Sequence, residues 1–328
     1  MSSKTVVFVQ APPYCLSSDD GLNKLRQAGL EIIDRRKTPP GAPGFMDDLR
    51  RADVVLSGND LKVTKELLAE LPRLKMIGKY GVGLDMIDVP AATARKVLVC
   101  NSPGCNSQAV ADQTFGMLLG LLRRIPFGDA QMRAGGYDHT SIKGNEIWQK
   151  TIGLVGLGAI GRAVAIRATG FRMKILAFDP YWPEEFATML GVERVLRVDD
   201  MLPRVDVLSL HCNLTAENAH MLGAAQFKQM KKTAVVVNAA RGELIDEDAL
   251  YEALKSGEIA GAAIDAWTKE PPTDSPLLTL PNVLAMPHTA AFTVESFYNM
   301  DMRVTEQIID YSRGVQPKPT VNNVPIGA

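Results

Sequence analysis

The chain is poor in cysteine and histidine, it has no long apolar run, and its opposite charges balance. Lys and Arg together number 36 against 37 for Asp and Glu, so the formal net charge is −1. That balance lacks the basic surplus with which proteins bind nucleic acid or anionic membranes. The charge-free apolar run at 115–122, FGMLLGLL, is far too short to span a bilayer. We therefore expect neither a nucleic-acid nor a membrane partner.

The four cysteines (Cys15, Cys100, Cys105 and Cys212) show neither CxxC nor CxxxH spacing. A disulfide framework and a structural zinc site are therefore both unexpected, and a reducing compartment such as the cytoplasm fits best. The N-terminal MSSKTVVFVQ has one lysine and then a short apolar run, which predicts a strand rather than a signal peptide. We expect a cytoplasmic protein with no bound metal.

Apolar residues make up 46% of the 328 residues, which is enough to bury a large core. Short strand-like runs alternate with helix-like segments over the first hundred residues, and a second alternation begins at Thr151. This alternation predicts parallel sheets covered by helices, an α/β fold. The strand-like runs lie at 6–9, 31–33, 54–56, 75–77 and 97–100, and then near 152–156, 174–179, 205–211, 234–238, 261–265 and 283–286.

Two long helices are predicted, one at 106–124 and a last one near 293–312. Apolar residues run almost all round the first of them, so we expect it to be buried. The six later strands match the count of a complete doubly wound dinucleotide-binding domain. The C-terminal 40 or so residues are too few to fold alone. We therefore predict that the chain crosses back, giving a discontinuous domain of 1–101 plus 291–328 and a nucleotide-binding domain of 102–290.

A glycine-rich turn, Gly156-x-Gly158-x-x-Gly161, follows the strand-like run 152–155 and opens a helical segment. In this context the first glycine permits a tight turn, the second leaves room for a pyrophosphate and the third lets helix and strand pack closely. The helix N-terminus offers N–H groups to the phosphates. Asp179 ends the next strand-like run, where a carboxylate accepts hydrogen bonds from ribose hydroxyls and repels a 2′-phosphate, so NAD is the predicted cofactor.

Four polar residues follow later strands of the same predicted sheet. His211 and His288 each end a strand-like run, and by position alone they are equal candidates for a functional histidine. Arg241 follows AVVVNAA, and Glu270 follows the strand that ends near residue 265. Because ligands bind at the carboxyl edge of such sheets, these residues offer a carboxylate anchor, an acid/base and a partner for it.

Seven stretches of the chain together form a recognisable pattern. They are KYGVGLDMID (79–88), VLVCNSPGCNSQAVADQT (97–114), TIGLVGLGAIGR (151–162), LSLHCNLTAEN (208–218), VVVNAARGELIDEDAL (236–250), AIDAWTKEPP (263–272) and LPNVLAMPHTAAFT (280–293). With these stretches the chain resembles the D-isomer-specific 2-hydroxyacid dehydrogenases over almost its whole length, and among them most closely the phosphoglycerate dehydrogenase-type members. This resemblance implies a Rossmann NAD-binding domain inserted into a discontinuous flavodoxin-like substrate-binding domain.

The resemblance implies catalytic roles for Arg241, Glu270 and His288. His288 donates a proton to the keto oxygen, Glu270 holds the imidazole, and Arg241 binds the substrate carboxylate with its planar fork. Backbone N–H groups of the loop containing Val82 and Gly83 also meet that carboxylate in the family. His211 becomes a residue flanking the cofactor, and the other implied cofactor contacts are Ala159, Ile160, Cys212, Ala239, Ala240, Asp265, Ala290 and Ala291.

The chain departs from the family pattern at several positions. Many members have Phe at Trp267 and Gly at Ala290 or Ala291. Members specific for phosphoglycerate clamp the distal phosphate with arginines, yet the loop 57–60 has none and Lys79 stands at another arginine position. With its end at residue 328, we expect the chain to lack the regulatory domains of longer phosphoglycerate dehydrogenases.

The predicted function is reversible hydride transfer between NAD(H) and a small 2-hydroxy or 2-keto acid, by a homodimer formed through about 103–150. D-3-phosphoglycerate dehydrogenase and hydroxypyruvate or glyoxylate reductase stand nearly level. A different class, an NAD-sensing binding protein similar to the C-terminal-binding-protein corepressors, is the other hypothesis. Glu270 argues against the formate dehydrogenase branch, which pairs its histidine with glutamine.

Overall fold

In the computed structural model, which describes residues 4–327, the chain forms two compact units. One unit consists of Met1–Asn106 and Phe292–Ala328, and we call it the split unit because both ends of the chain build it. The other consists of Ser107–Ala291, and we call it the central unit. Each unit contains one parallel β-sheet.

The split unit begins with five strands that alternate with four helices. The strands pair in the order β2-β1-β3-β4-β5, and all pairs are parallel. This is the doubly wound order typical of flavodoxin-like domains. The elements are β1 (Val6–Gln10), α1 (Asp20–Gln27), β2 (Glu31–Asp34), α2 (Phe45–Arg50), β3 (Val54–Ser57), α3 (Lys65–Ala69), β4 (Met76–Lys79), α4 (Val89–Ala94) and β5 (Leu98–Cys100).

The central unit contains a seven-stranded parallel sheet in the order β12-β11-β10-β9-β6-β7-β8. Counted from its first strand this is the Rossmann order with one further strand beside the sixth. Its elements are α5 (Ser107–Leu122), α6 (Ile125–Arg133), β6 (Thr151–Val155), α7 (Ala159–Gly170), β7 (Lys174–Phe178), α8 (Glu184–Leu190), β8 (Glu193–Arg194), β9 (Val207–Leu210), α9 (Ala224–Phe227), β10 (Val235–Asn238), α10 (Glu247–Lys255), β11 (Gly261–Ile264) and β12 (Val283–Ala285).

The two sheet orders confirm the predicted fold class. Strands β9, β10 and β11 are buried along their whole length, because helices cover both faces of a parallel sheet. Helix α5, the predicted buried helix, packs on α7 and on β10, β11 and β12.

Two elements were not predicted. Strand β8 is two polar residues long and pairs with Leu176 and Ala177 at the edge of the sheet, so it has no apolar pattern to detect. Helix α6 has no buried residue, so its apolar side chains do not contribute to the core of the central unit.

Helix α11 (Val294–Ser312) returns the chain to the split unit and packs on α1 and β4. The Thr293 side chain caps it by accepting a hydrogen bond from the Ser296 N–H at 3.1 Å. The buried carboxylate of Asp301, 3% exposed, points from this helix to the segment after β1 and accepts the Cys15 N–H at 3.0 Å. This bond ties the C-terminal helix to the first part of the chain.

Burial raises the pKa of Asp301 to about 6. Since the folded-state pKa exceeds the unfolded value, this group stabilises the fold fully below pH 3.8, and the contribution is lost as pH rises through about 6. Asparagine does not ionise, so Asp301→Asn should not lose this contribution as the pH rises. The free energy of unfolding of the variant, compared with that of wild type, should therefore be higher at pH 8 than at pH 4 by on the order of 2 kcal/mol. Urea denaturation at both pH values measures this, with the exposed Glu306→Gln on the same helix as control. A difference from wild type that does not change with pH would contradict the prediction.

Candidate active site

The polar residues singled out in the central unit follow successive strands, so the parallel sheet brings them to one edge. Ligands bind at this carboxyl edge in doubly wound folds. The strand ends and their residues are β6 with Gly156, β7 with Asp179, β9 with His211, β10 with Arg241, β11 with Asp265 and Glu270, and β12 with His288.

The three glycines of the turn after β6 meet different surroundings. A Cβ atom at Gly156, whose φ is +99°, would lie 2.6 Å from the His211 carbonyl oxygen, and one at Gly161 would lie 2.1 Å from the Gly156 oxygen. Both positions therefore require glycine because the backbone approaches so closely. A Cβ at the exposed Gly158 would meet nothing within 4 Å, so bare backbone lies open in front of the N-terminus of α7.

Asp179 holds this turn against the end of β7. Its two carboxylate oxygens accept the Leu157 N–H at 2.6 Å and the Tyr181 N–H at 2.7 Å. A carboxylate offers about four lone-pair sites. These two bonds fix the orientation of the carboxylate and leave it capacity to accept ribose hydroxyls, as the sequence predicts.

His211 is buried and lies under the glycine-rich turn. Its Nε2 lies 2.8 Å from the Ser209 hydroxyl, and burial lowers the pKa of the imidazole to about 3. A neutral, buried ring is suited to packing and not to proton exchange with solvent. Burial also raises the pKa of the neighbouring Cys212 thiol to about 11, so this thiol stays protonated. Of the two equal histidine candidates, only His288 is exposed enough to meet a substrate.

The loop after β10 is organised by Asn238, which is 1% exposed. Its side chain donates to the Arg241 carbonyl at 2.8 Å and accepts the Ala240 N–H at 3.0 Å. Ala239 and Ala240 are half-buried at the strand end, and the Arg241 guanidinium donates to the Ala240 carbonyl at 2.7 Å. Asn238 is not among the residues predicted from the sequence, although a polar residue at the end of the apolar run AVVV was a signal.

His288 and Glu270 form the most specific side-chain pair at this edge. The His288 Nδ1 lies 2.7 Å and 2.9 Å from the two Glu270 carboxylate oxygens. A carboxylate only accepts hydrogen bonds, so Nδ1 carries the proton and Nε2 is the atom left to exchange one with a ligand. Both side chains are just over 40% exposed, so the ring is reachable.

Asp265 fixes the loop on which His288 stands. It is fully buried, and its carboxylate accepts the Thr289 N–H and the Ala290 N–H, both at 2.8 Å. His288 itself has a φ of +55°, a left-handed conformation that costs a non-glycine residue free energy. The two hydrogen bonds directly after His288 hold the chain in that conformation. The resemblance predicts Asp265 and Ala290 as cofactor contacts. It did not predict that the Asp265 carboxylate holds the backbone directly after His288.

The predicted substrate residues of the split unit lie at the carboxyl end of its β4. Lys79 is 1% exposed, and its ammonium donates to the Gly58 carbonyl at 2.8 Å and to the Asn59 side chain at 2.5 Å. The Ser102 N–H donates to the Gly81 carbonyl and the Asn101 side chain to the Val82 carbonyl, both at 2.9 Å. In a trans peptide the N–H points opposite to the C=O, so the N–H groups of Val82 and Gly83 face away from residues 101–102.

Over residues 4–327 no cluster of three or more His, Cys, Asp or Glu side chains has the arrangement of a metal site. Within the same residues no helix combines the length and apolarity needed to cross a membrane.

The fold and this edge have counterparts in known proteins. Residues 115–290 match the family model described as the NAD binding domain of D-isomer specific 2-hydroxyacid dehydrogenase. The chain belongs to this family. The NAD-binding domain of the family therefore covers the glycine-rich turn, Asp179, Arg241, Glu270 and His288.

Relatives in the D-isomer specific 2-hydroxyacid dehydrogenase family differ in the reaction named for them. A D-3-phosphoglycerate dehydrogenase of Methanocaldococcus jannaschii is 43% identical over 86% of this chain and 54% of its own length. A glyoxylate reductase of Korarchaeum cryptofilum is 38% identical over 92% of both chains. The crystal structure of a glyoxylate reductase from Paecilomyes thermophila superposes with a TM-score of 0.88 at 28% identity, covering 98% of this chain and 99% of the other. The chain spans little more than half the length of the phosphoglycerate dehydrogenases it matches.

Proposed function

We propose that the protein is an NAD-dependent D-2-hydroxyacid dehydrogenase. The observation that carries this proposal is the His288–Glu270 pair, with Nδ1 held by both carboxylate oxygens, in a unit that matches the NAD-binding domain of the family. The balanced reaction is 2-keto acid plus NADH plus one proton to D-2-hydroxy acid plus NAD⁺, and it runs in both directions.

The residues at the sheet edge fit NAD. Gly158 leaves bare backbone in front of α7, where the helix N–H groups would hold the pyrophosphate, and Asp179 would accept the ribose hydroxyls. Bound NAD(H) supplies the acceptor or donor of the hydride. The carboxylate of Asp179 would repel the 2′-phosphate of NADP, so NAD is the favoured cofactor. Ala159, Ile160, Cys212, Ala239, Ala240, Ala290 and Ala291 stay predicted cofactor contacts.

His288 moves the proton. In reduction of the keto acid, Nε2–H donates to the carbonyl oxygen as the carbonyl carbon is reduced, and in oxidation Nε2 takes the proton from the hydroxyl. Glu270 keeps the Nδ1 proton in place and stabilises the imidazolium that exists while both nitrogens are protonated. Arg241 is proposed to bind the substrate carboxylate, because a permanently charged planar fork can hold both oxygens and polarise the neighbouring carbonyl.

The similarity to D-3-phosphoglycerate dehydrogenases supports 3-phosphohydroxypyruvate as the keto acid. A second candidate, hydroxypyruvate or glyoxylate, is favoured by the side chain of Lys79. Its ammonium is buried against Gly58 and Asn59, so it supports this loop from inside and does not present its charge to solvent. The glyoxylate reductase of similar length agrees with this second candidate.

Turnover of a panel of keto acids tests the proposal and separates the two substrates. NADH consumption is followed with 3-phosphohydroxypyruvate, hydroxypyruvate, glyoxylate and pyruvate, and NADPH serves as the control cofactor. A preference of about 100-fold in kcat/KM, about 2.7 kcal/mol in transition-state binding, for the phosphorylated acid would assign phosphoglycerate. The opposite preference would assign a reductase of small unphosphorylated acids. NADH binding without turnover of any acid would contradict the proposed enzyme and favour an NAD-sensing protein.

We further propose a homodimer formed through the region around α6. The nine residues of α6 include no buried one, and Ile125, Phe127 and Met132 are exposed by 57%, 45% and 58%. Apolar side chains concentrated on one short helix are typical of a protein interface. Light scattering across a range of protein concentrations gives the molecular mass, which distinguishes a dimer from a monomer.

The four free thiols are consistent with a reducing compartment, and we propose the cytoplasm.

A further inference from the structure

Trp267 is a buried residue of the central unit that lies three positions before Glu270. It is 4% exposed and follows the carboxyl end of β11. Its indole Nε1–H donates to the Met286 carbonyl at 2.9 Å, and its backbone N–H donates to the Glu270 Oε1 at 3.2 Å. One residue therefore contacts both Glu270 and the segment that leads to His288.

The backbone of Trp267 also adjoins the loop that carries Arg241. A Cβ at Gly242 would lie 2.0 Å from the Trp267 carbonyl carbon and 2.1 Å from the Thr268 nitrogen. Glycine is required there because the two loops are in contact along their backbones. The Trp267–Thr268 peptide is thus packed beside the residue that follows Arg241.

The segment around His288 is fastened on both sides. Before it, the Met286 N–H donates to the Ile264 carbonyl at 2.8 Å, and the Met286 carbonyl accepts the Trp267 indole. After it, Asp265 accepts the Thr289 and Ala290 N–H groups. His288 stands between these fastenings in a left-handed conformation, which persists only where the surroundings hold it.

We propose that Trp267 is a positioning residue that sets the orientation of the His288–Glu270 pair. Its indole N–H fixes the backbone two residues before His288, and its backbone N–H fixes one Glu270 oxygen. The ring nitrogen Nε2 is thereby held in one direction relative to the sheet edge. This inference rests on the proposed function, because the orientation matters only if His288 exchanges a proton with substrate.

A purely structural role is the competing explanation, since Trp267 also belongs to the hydrophobic core of the central unit. The two roles differ in what a conservative substitution changes. Loss of core packing lowers the stability of the unit and leaves kcat of the folded enzyme unchanged. Loss of positioning lowers kcat while KM and NADH affinity stay the same, because only the transition state needs the aligned ring.

Trp267→Phe keeps an aromatic ring and removes the indole N–H. We expect kcat to fall about 10-fold, the worth of one hydrogen bond, with KM for the keto acid and Kd for NADH within about 2-fold of wild type. Trp148→Phe is the matched control, because Trp148 is 46% exposed and contacts Arg172. It should leave all three constants unchanged.

A double-mutant cycle connects the effect to His288. If Trp267 acts through the imidazole, adding Trp267→Phe to a His288→Asn enzyme lowers the residual kcat by less than about 2-fold. A further 10-fold loss in that background, or a full wild-type kcat in Trp267→Phe, would overturn the proposal.

A spectroscopic measurement needs no turnover. In ¹⁵N-histidine-labelled protein without cofactor, the His288 signal, assigned by its absence in His288→Asn, should show the Nδ1–H tautomer. Trp267→Phe should give a mixture of tautomers or a shifted Nδ1 signal, and an unchanged signal would contradict positioning. If the wild-type chain reduces no keto acid, the proposed function fails, and this signal still decides whether Trp267 orients the ring.

Discussion

His288→Asn is expected to lower kcat about 1,000-fold in either direction of the reaction. The substitution removes the half-exposed imidazole that Glu270 holds at the sheet edge, and asparagine cannot donate and recover a proton near neutral pH. NADH affinity should stay within about 3-fold of wild type, because the glycine-rich turn and Asp179 lie after other strands. Stopped-flow turnover and quenching of tryptophan fluorescence by NADH measure the two quantities separately.

The control for this variant is His139→Asn. His139 is exposed in the stretch after α6, and its ring lies edge-on to the neighbouring Tyr137 ring. It should retain the wild-type kcat. A His288→Asn enzyme that keeps its full rate of hydride transfer would remove the imidazole from the mechanism. Such a result would contradict the proposed acid–base step, including the role of Glu270 in holding the Nδ1 proton of His288.

Two alanine substitutions in the same glycine-rich turn are expected to change different quantities. Gly158→Ala should weaken NADH binding, whereas Gly161→Ala should lower the stability of the fold. In Gly158→Ala the new methyl group meets no protein atom within 4 Å, so the free energy of unfolding should change by less than about 0.5 kcal/mol. The methyl group would instead occupy the space in front of α7, and we expect the Kd for NADH to rise about 10- to 100-fold as charge-assisted hydrogen bonds to the pyrophosphate are lost.

Gly161→Ala places its methyl group 2.1 Å from the Gly156 carbonyl oxygen, which belongs to the backbone and cannot move aside cheaply. Overpacking of this kind should lower the free energy of unfolding by roughly 3 kcal/mol. Urea denaturation and NADH titration of both variants give the comparison. If Gly158→Ala binds NADH as tightly as wild type, the pyrophosphate does not lie on this turn.

Several parts of the fold were predictable from local patterns. Apolar, β-branched runs separated by amphipathic segments indicated parallel strands and helices at nearly their observed positions. The glycine spacing at 156–161 was informative because a strand precedes it and a helix follows it. Burial of a whole strand leaves a mostly apolar run in the sequence, which is why β9, β10 and β11 were found. The two polar residues of β8 leave no such run, and α6 buries none of its residues.

The sequence by itself therefore determined the two-sheet α/β architecture, the strand ends on which Arg241, Glu270 and His288 stand, and the family. Only the tertiary structure decided how these groups are held. The bonds from Trp267 to Met286 and from Asp265 to Ala290 join residues 19 and 25 positions apart, and the burial of Lys79 depends on a loop 20 or 21 positions earlier in the chain. Such contacts follow from strand order and register, which bring distant residues together at one edge of a sheet. A local pattern carries no information on that distance.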